Sequence, residues 1–166
     1  MMNLMDKHPE FPPDTFVAPN ASVVGKVIAN FKCTVGYGAV VRGDHAPVRM
    51  GSHVHVGDRA VVLTAKAVEG HSDAATRIGD YVVIGAGAVL QACTVEARVR
   101  VGAGARVMEG ALLESYCALA PGAVVHPGRR IPSGEVRARM RVLLRGGVCV
   151  VVGAVCAGSL ARADVF

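Results

Sequence analysis

The chain has 166 residues, of which 52% are hydrophobic, 4% are aromatic and none is tryptophan. This length and composition fit one domain whose core is built from small aliphatic side chains. The net charge of +5 arises in the last quarter, where Glu135 is the only acidic residue between Glu114 and Asp164. That segment has almost no aromatic residues for base stacking and no nucleic-acid-binding motif. We therefore expect no nucleic acid as a partner and favour an anionic membrane surface or an acidic neighbour.

Residues 1–13 are predicted to be an N-terminal extension. They contain no arginine and lack a hydrophobic signal core, so import into an organelle would need an internal or already removed signal. The five cysteines include no C-x-x-C pair and indicate reduced thiols without a disulfide framework: Cys33, Cys93, Cys117, Cys149 and Cys156.

From residue 17 to residue 131, aliphatic residues recur every six positions in four series. These anchors are Val17, Val23, Ala29, Val35 and Val41; Met50, Val56 and Val62; Ile78, Ile84 and Leu90; and Val95, Val101, Val107, Leu113, Leu119, Val125 and Ile131. Small residues follow four positions after most anchors, among them Val27, Cys33, Ala39, Ala60, Val82, Ala88, Val99, Ala105, Ala111, Cys117 and Ala123. A period of six is neither that of an α-helix nor that of a simple strand.

This double periodicity predicts an all-β fold, a left-handed parallel β-helix or hexapeptide-repeat solenoid, over residues 14–136. Each of three faces per coil would place one aliphatic anchor inside and one small residue at the turn into the next face. The eighteen anchors give about six coils, with excursions expected at residues 43–49 and 64–77. Because such a prism leaves flat faces exposed, we expect it to form a trimer.

Four stretches resemble the γ-class carbonic anhydrase family, and most closely its mitochondrial branch, whose members sit in respiratory complex I. They are TFVAPNASVVG (15–25), VGYGAVVRGD (35–44), RIGDYVVIGAGAVLQACTVE (77–96) and RIPSGEV (130–136). The hexapeptide pattern alone is shared with many acyltransferases. The TVE after Cys93, the pair Ala65 and Lys66, and RIPSGEV favour the mitochondrial branch.

The resemblance implies a metal ion held by three histidines at a subunit interface, two from one chain and one from its neighbour. The matching positions here are Leu63, Ala86 and Gln91. Leucine and alanine offer no lone pair, and a neutral glutamine oxygen does not suit zinc unaided. The family's N-I-Q-D element reads His55 to Asp58 here, so the residues that orient a metal-bound water are altered as well. We therefore expect a degenerate site with no metal and no cofactor.

A replacement metal site built from His53 and His55, together with His45, is an alternative to solvated or interface histidines. The His53-Val54-His55 pattern predicts that both histidines point outward from a strand whose Val54 points inward. By resemblance, Arg42, Asp44 and Asp58 belong to the trimer interface; for Arg42 and Asp44 the alternative is an ordinary surface ion pair. Interface residues that remain beside missing ligands favour assembly over catalysis.

Residues 137–166 depart from the family and form a basic and then apolar C-terminal segment. The sixteen residues from Gly146 to Ala161 carry no charge. As a helix they would be about 24 Å long, which is shorter than the ~30 Å hydrocarbon core of a bilayer. Three interpretations stay open: the segment covers the β-helix or a neighbouring subunit, it contacts inner-membrane lipid through residues 137–161, or it is disordered.

The sequence thus predicts a non-catalytic structural subunit of a γ-carbonic-anhydrase-like heterotrimer. Its expected partners are the other γ-carbonic-anhydrase-like subunits and the membrane-arm subunits of complex I, on the matrix side of the mitochondrial inner membrane. One alternative is an enzyme, either an active γ-class carbonic anhydrase or a hexapeptide acyltransferase that uses His71 as its base. The other alternative is a stand-alone homotrimeric scaffold.

Overall fold

The computed structural model describes residues 8–66 and 74–137, and within these ranges the chain forms seventeen β-strands and no helix. The strands are β1 Phe16–Val17, β2 Ser22–Ala29, β3 Thr34–Val35, β4 Val40–Met50, β5 His55–Val56, β6 Val61–Leu63, β7 Thr76–Ile78, β8 Val83–Ile84, β9 Val89–Gln91, β10 Thr94–Val95, β11 Arg100–Val101, β12 Arg106–Val107, β13 Leu112–Leu113, β14 Ala118–Leu119, β15 Val124–Val125, β16 Arg130–Ile131 and β17 Val136–Arg137.

All strand pairs are parallel, and they stack into a three-faced prism. Face A contains β1, β3, β5, β8, β11, β14 and β17. Face B contains the first part of β2 and of β4, followed by β6, β9, β12 and β15. Face C contains the last part of β2 and of β4, followed by β7, β10, β13 and β16. The chain turns at the A–B, B–C and C–A corners in each coil, which confirms the predicted parallel β-helix.

The anchors form the core, as the six-residue period predicts. Seventeen of them are buried, from Val23 to Ile131, and Val17 packs against them from the first coil. In the strands the anchor points inward and the residue before it points outward, so Leu113 is fully buried while Leu112 is only half-buried. Register keeps the anchors in columns; for example, Val56 pairs with Ile84 and Ile84 with Val101.

The small residues line the inside of the corners, where the coils come closest together. Ala39, Ala60, Ala88 and Ala105 are fully buried at the A–B corner, and Cys33 and Cys117 are buried at the equivalent position of the C–A corner. Close approach also explains the glycine after an anchor. A Cβ atom added at Gly85 would lie 2.5 Å from the backbone nitrogen of Ala103 in the next coil.

The excursion predicted at residues 43–49 is wrong, because β4 continues through it as one strand. Gly43 pairs with Gly25, and Val48 pairs with Val27 after a register shift. The insertion is confined to residues 44–47, which lie opposite Lys26. Val48 is fully buried and takes the place of a small interior residue, a role that the broken six-residue period concealed.

The second predicted excursion, at residues 64–77, ends earlier than expected because β7 begins at Thr76. Thr76 is fully buried and its hydroxyl donates to the carbonyl oxygen of Leu63 at 2.6 Å. Residues 67–73, including His71, lie outside the described residues.

At the N-terminal end, Glu10 forms a parallel bridge with Ile28, so part of the predicted extension is hydrogen-bonded to the first coil. Residues 138–166, and with them the apolar C-terminal segment, lie outside the described residues. Within residues 8–66 and 74–137 the chain has no helix with the length and apolarity needed to span a membrane.

Candidate functional site

Two of the three predicted ligand positions lie side by side on face B. Leu63 ends β6 and pairs in register with Gln91 at the end of β9, on the next strand of the face. On the other side of β6, Leu63 pairs in register with Arg42 on β4. Both Leu63 and Gln91 point outward and are half-buried. The parallel register thus creates one row of outward side chains that contains Arg42, Leu63 and Gln91.

The third position, Ala86, lies at the A–B corner between β8 and β9 and is exposed. Since β9 starts near this corner and ends at Gln91, Ala86 and Gln91 stand at opposite edges of face B. One chain therefore does not bring the three positions together. This separation fits a site divided between neighbouring subunits, which stays a prediction.

The side chains at these positions do not fit a metal ion. Leu63 and Ala86 have no donor atom. The Gln91 amide nitrogen donates to the Glu109 carboxylate at 2.6 Å, which ties this side chain to the next coil. A lone neutral amide oxygen beside a leucine is not a zinc or iron site. Sequence reasoning missed Glu109, although its distance of eighteen residues from Gln91 is one full coil and could have revealed the contact.

The alternative histidine site finds no support in the described part of the chain. His53 lies in the C–A corner and stacks on Tyr81 with ring centroids 4.6 Å apart, whereas His55 points outward from face A. Both histidines are exposed and Val54 between them is buried, as predicted, although β5 begins only at His55 and His53 belongs to the preceding corner. Residues 8–66 and 74–137 contain no group of three or more histidine, cysteine, aspartate or glutamate residues arranged to hold a metal.

Arg42 and Asp44 form an ion pair within the chain, with 2.8 Å between a guanidinium nitrogen and Oδ2. The other carboxylate oxygen of Asp44 accepts from the backbone N–H of His45 at 3.1 Å and from the Thr64 hydroxyl at 3.4 Å. Burial acts to raise the pKa of Asp44, but the backbone N–H groups of Asp44 and His45 and the charge of Arg42 outweigh it and lower the pKa. The Asp44 side chain is 16% exposed and that of Arg42 is 53% exposed, so the guanidinium remains accessible to another subunit.

Asp58, the third predicted interface residue, is an exposed residue of the A–B corner. Its Oδ1 accepts a hydrogen bond from the backbone N–H of Tyr37 at 2.8 Å. This bond joins two coils, so Asp58 has a structural role within the chain, and its role between subunits stays a prediction. A surface pocket of about 510 Å³ at this corner brings Asp58 together with Ala86; its lining residues are Asn20, Tyr37, Gly38, Asp58, Arg59, Ala86 and Gly87.

Comparison with known proteins identifies the family. The chain is 42% identical over 136 residues to "Gamma carbonic anhydrase 1, mitochondrial" of Arabidopsis thaliana, a match that covers 82% of this chain and 50% of that protein. It is 40% identical over 136 residues to "Gamma carbonic anhydrase 2, mitochondrial" of the same plant, covering 82% of this chain and 49% of that protein. The chain belongs to the γ-carbonic anhydrase family. The prediction of the family from its four sequence stretches is confirmed.

Other relatives place this γ-carbonic anhydrase family member among the hexapeptide-repeat proteins. A solved structure of a hexapeptide transferase family protein from Anaplasma phagocytophilum superimposes with a TM-score of 0.76 and 32% identity, covering 82% of this chain and 76% of that one. No family model matches the chain. The chain spans about half the length of the curated relatives it matches, since the matches cover 50% and 49% of them.

Proposed function

We propose that this γ-carbonic anhydrase family member is a non-catalytic structural and assembly subunit. In this proposal it joins two other γ-carbonic-anhydrase-like chains in a heterotrimer attached to the matrix side of mitochondrial respiratory complex I. The observation that carries the proposal is the pair Leu63 and Gln91. They stand in register where two ligands would converge, and neither side chain suits a metal.

The surface of face B supports assembly. Its outward row is apolar over three successive strands, through Val40, Val61 and Val89, which are directly paired in register. On the next strand the row reaches Arg106, and the corresponding row of face C carries three arginines, Arg49, Arg77 and Arg130. A flat apolar face with a polar rim is the usual surface of a stable subunit interface. Arg42 and Gln91 provide that rim along one edge of face B.

The mitochondrial location is supported by the relatives. Several of them are named as mitochondrial γ-carbonic anhydrases or γ-carbonic-anhydrase-like proteins of Arabidopsis thaliana. The existence of separate "-like" relatives favours a hetero-assembly over a stand-alone homotrimeric scaffold. Attachment to complex I rests on the sequence resemblance alone. The acyltransferase alternative depends on His71, which lies outside the described residues.

The direct test is the metal content of the purified chain, measured by elemental analysis together with CO2 hydration activity. We expect no stoichiometric zinc, iron or cobalt and no activity, because all three ligand positions lack a suitable donor. We also expect the combined substitution of Leu63, Ala86 and Gln91 by histidine to be insufficient for activity, since Gly57 and His55 replace the residues that orient the water. One bound metal per unaltered chain would overturn the proposal.

Attachment is tested separately by a native gel of solubilised mitochondrial membranes. The chain should comigrate with complex I and with two other γ-carbonic-anhydrase-like subunits. Migration of the chain alone, or as a trimer of identical copies, would contradict the assembly role and leave the metal result unaffected.

A further inference from the structure

Exposed apolar side chains gather on one side of the prism. Among the described residues, eight large hydrophobic side chains are exposed, and six of them lie on face A or on the C–A corner beside it. This apolar side consists of Phe16, Val83 and Val136 on face A and Phe31, Tyr81 and Tyr116 on the C–A corner. The other two exposed side chains, Tyr37 and Val124, lie on the A–B corner and on face B.

The outward row of face A continues the apolar side over the height of the prism. Its members pair in register from the first coil to the last: Phe16, Thr34, His55, Val83, Arg100, Ala118 and Val136. Within these seven strands the row holds no carboxylate, and Arg100 is its only arginine or lysine. The corresponding row of face C carries three arginines. An exposed apolar surface of this extent marks a docking site.

The charged side chains of the C–A corner are engaged within the chain. Asp80 and Glu96 each accept a hydrogen bond from a backbone N–H of an adjoining coil, at 2.7 Å and 3.0 Å. Glu114 binds Arg130, and the Arg98 guanidinium lies over two tyrosine rings. Because both signs of charge are present and engaged, the corner does not select a charged partner. Its exposed aromatic rings are what it offers for contact.

The described part of the chain ends on this same side of the molecule. β17, Val136–Arg137, is the last strand of face A, and residues 138–166 follow it directly. Residues 138–145 can span up to about 28 Å when extended, which is enough for the chain to reverse direction at the end of the prism. The uncharged stretch from Gly146 to Ala161 can then run back over face A.

The length and composition of this stretch match the apolar side. Face A is seven strands high, which is about 29 Å at the ~4.8 Å spacing of neighbouring strands. Sixteen residues are about 24 Å long as a helix and longer in an extended form, so either conformation covers most of this height. The stretch from Gly146 to Ala161 is rich in valine and carries no charge, which suits a row that is itself almost uncharged.

A segment of the same chain has an advantage over any other apolar partner. The chain connection gives it a high effective concentration at face A, and it does not lose the translational freedom that a separate molecule loses on binding. We propose that residues 146–161 dock on the apolar side of their own chain, where they cover Val83, Tyr81 and Tyr116. This position leaves face B open for the other subunits.

The proposal is tested by cross-linking in the purified full chain, with Cys149 and Cys156 as the natural thiols of the segment. Val83→Cys places a thiol on face A. Val124→Cys is the matched control, because Val124 is equally exposed, at 38%, but lies on face B. Each variant is treated with a short bismaleimide, and the linked peptides are identified by mass spectrometry. We expect position 83 to link to Cys149 or Cys156 at least about tenfold faster than position 124, because docking holds the two thiols at high effective concentration.

Ala118→Cys, on a later strand of face A, is a second variant should Val83→Cys fail to fold, with the melting temperature as the check. Equal rates on faces A and B, or links only between different chains, would overturn the proposal. No link on face A, together with protection of Cys149 by phosphatidylcholine–cardiolipin vesicles, would assign the segment to lipid and also overturn it. Cross-linking is independent of metal content and of comigration with complex I. Its failure is therefore distinct from failure of the proposed function.

Discussion

Cys93 is buried in the core, and this burial raises the pKa of its thiol to about 12. Burial likewise raises the pKa of Cys117 to about 11 and raises that of Cys33. Since the thiolate is the reactive species, we predict that a Cys149→Ser, Cys156→Ser variant reacts with Ellman's reagent at none of its remaining thiols while folded. In urea all three should react. Fast modification of the folded variant would contradict this burial.

The same three buried thiols make the stability of the fold depend on pH. Their pKa is higher in the folded chain than in the unfolded chain, so they leave stability unaffected below the ordinary thiol pKa of about 8.5. As the pH rises above that value the unfolded chain ionises first, and stability falls until the pH reaches the folded pKa of about 11 for Cys117 and about 12 for Cys93. Urea unfolding at increasing pH would measure this fall, and Cys93→Ala should reduce it.

For single residues, the sequence predicted the position of some side chains but not the contacts of others. The interior position of Cys33 and Cys117 follows from the six-residue period and is confirmed. The stack of His53 on Tyr81 was not predictable, because the two residues are far apart in sequence and meet only through the register of the coils. The ion pair of Arg42 with Asp44 inside one chain corresponds to the surface pair that was the alternative to their role between subunits.

Within one strand, Leu112 and Leu113 test whether the inward and outward faces are assigned correctly. Leu113 is fully buried in the core, whereas its neighbour Leu112 points outward from face C and is half-buried. Leu113→Ala should lower the free energy of unfolding by about 3 kcal/mol, the cost of lost burial and a residual cavity. Leu112→Ala is the matched control and should cost less than about 1 kcal/mol, because it removes an apolar group from the surface. Equal losses in urea unfolding would contradict the register.

The strands were predictable wherever the repeat is regular. Val95 to Ile131 follow the six-residue step without interruption, and each anchor there is buried. The prediction failed at residues 43–49, because a strand that bulges breaks the period without leaving the sheet. In a single sequence a bulge looks like a loop, because the strand that pairs with the chain on both sides of it is not known. Here that strand is β2, which is long enough, at 8 residues, to pair with β4 before and after the bulge.

In the assembled molecule, Arg42 and Asp44 should matter more than they do in one chain. We predict that Arg42→Ala and Asp44→Ala loosen the trimer by about tenfold or more on dilution while each β-helix stays folded, since removal of one partner strands the other charge at an interface. Arg100→Ala, on face A, is the control and should leave assembly unchanged. Mass measurements over a dilution series decide the matter. An unchanged trimer would show that the pair is an ordinary surface ion pair.

A site shared between neighbours has a consequence for a heterotrimer with one copy of this chain. Leu63 and Gln91 stand at one edge of face B and Ala86 at the other, so the chain would contribute to the sites on both of its sides. Both of these interfaces then lose ligands, and only the third, between the two partners, can hold a metal. We predict at most one metal per isolated heterotrimer by elemental analysis.

Any carbonic anhydrase activity of that heterotrimer should therefore belong to the third interface. Mutation of ligand histidines in the partner subunits should abolish it, because only those chains supply donors there. Substitution of Leu63, Ala86 or Gln91 in this chain should leave it unaltered. Two or three metals per heterotrimer would mean that this chain contributes ligands after all, through residues other than the three that the family pattern marks.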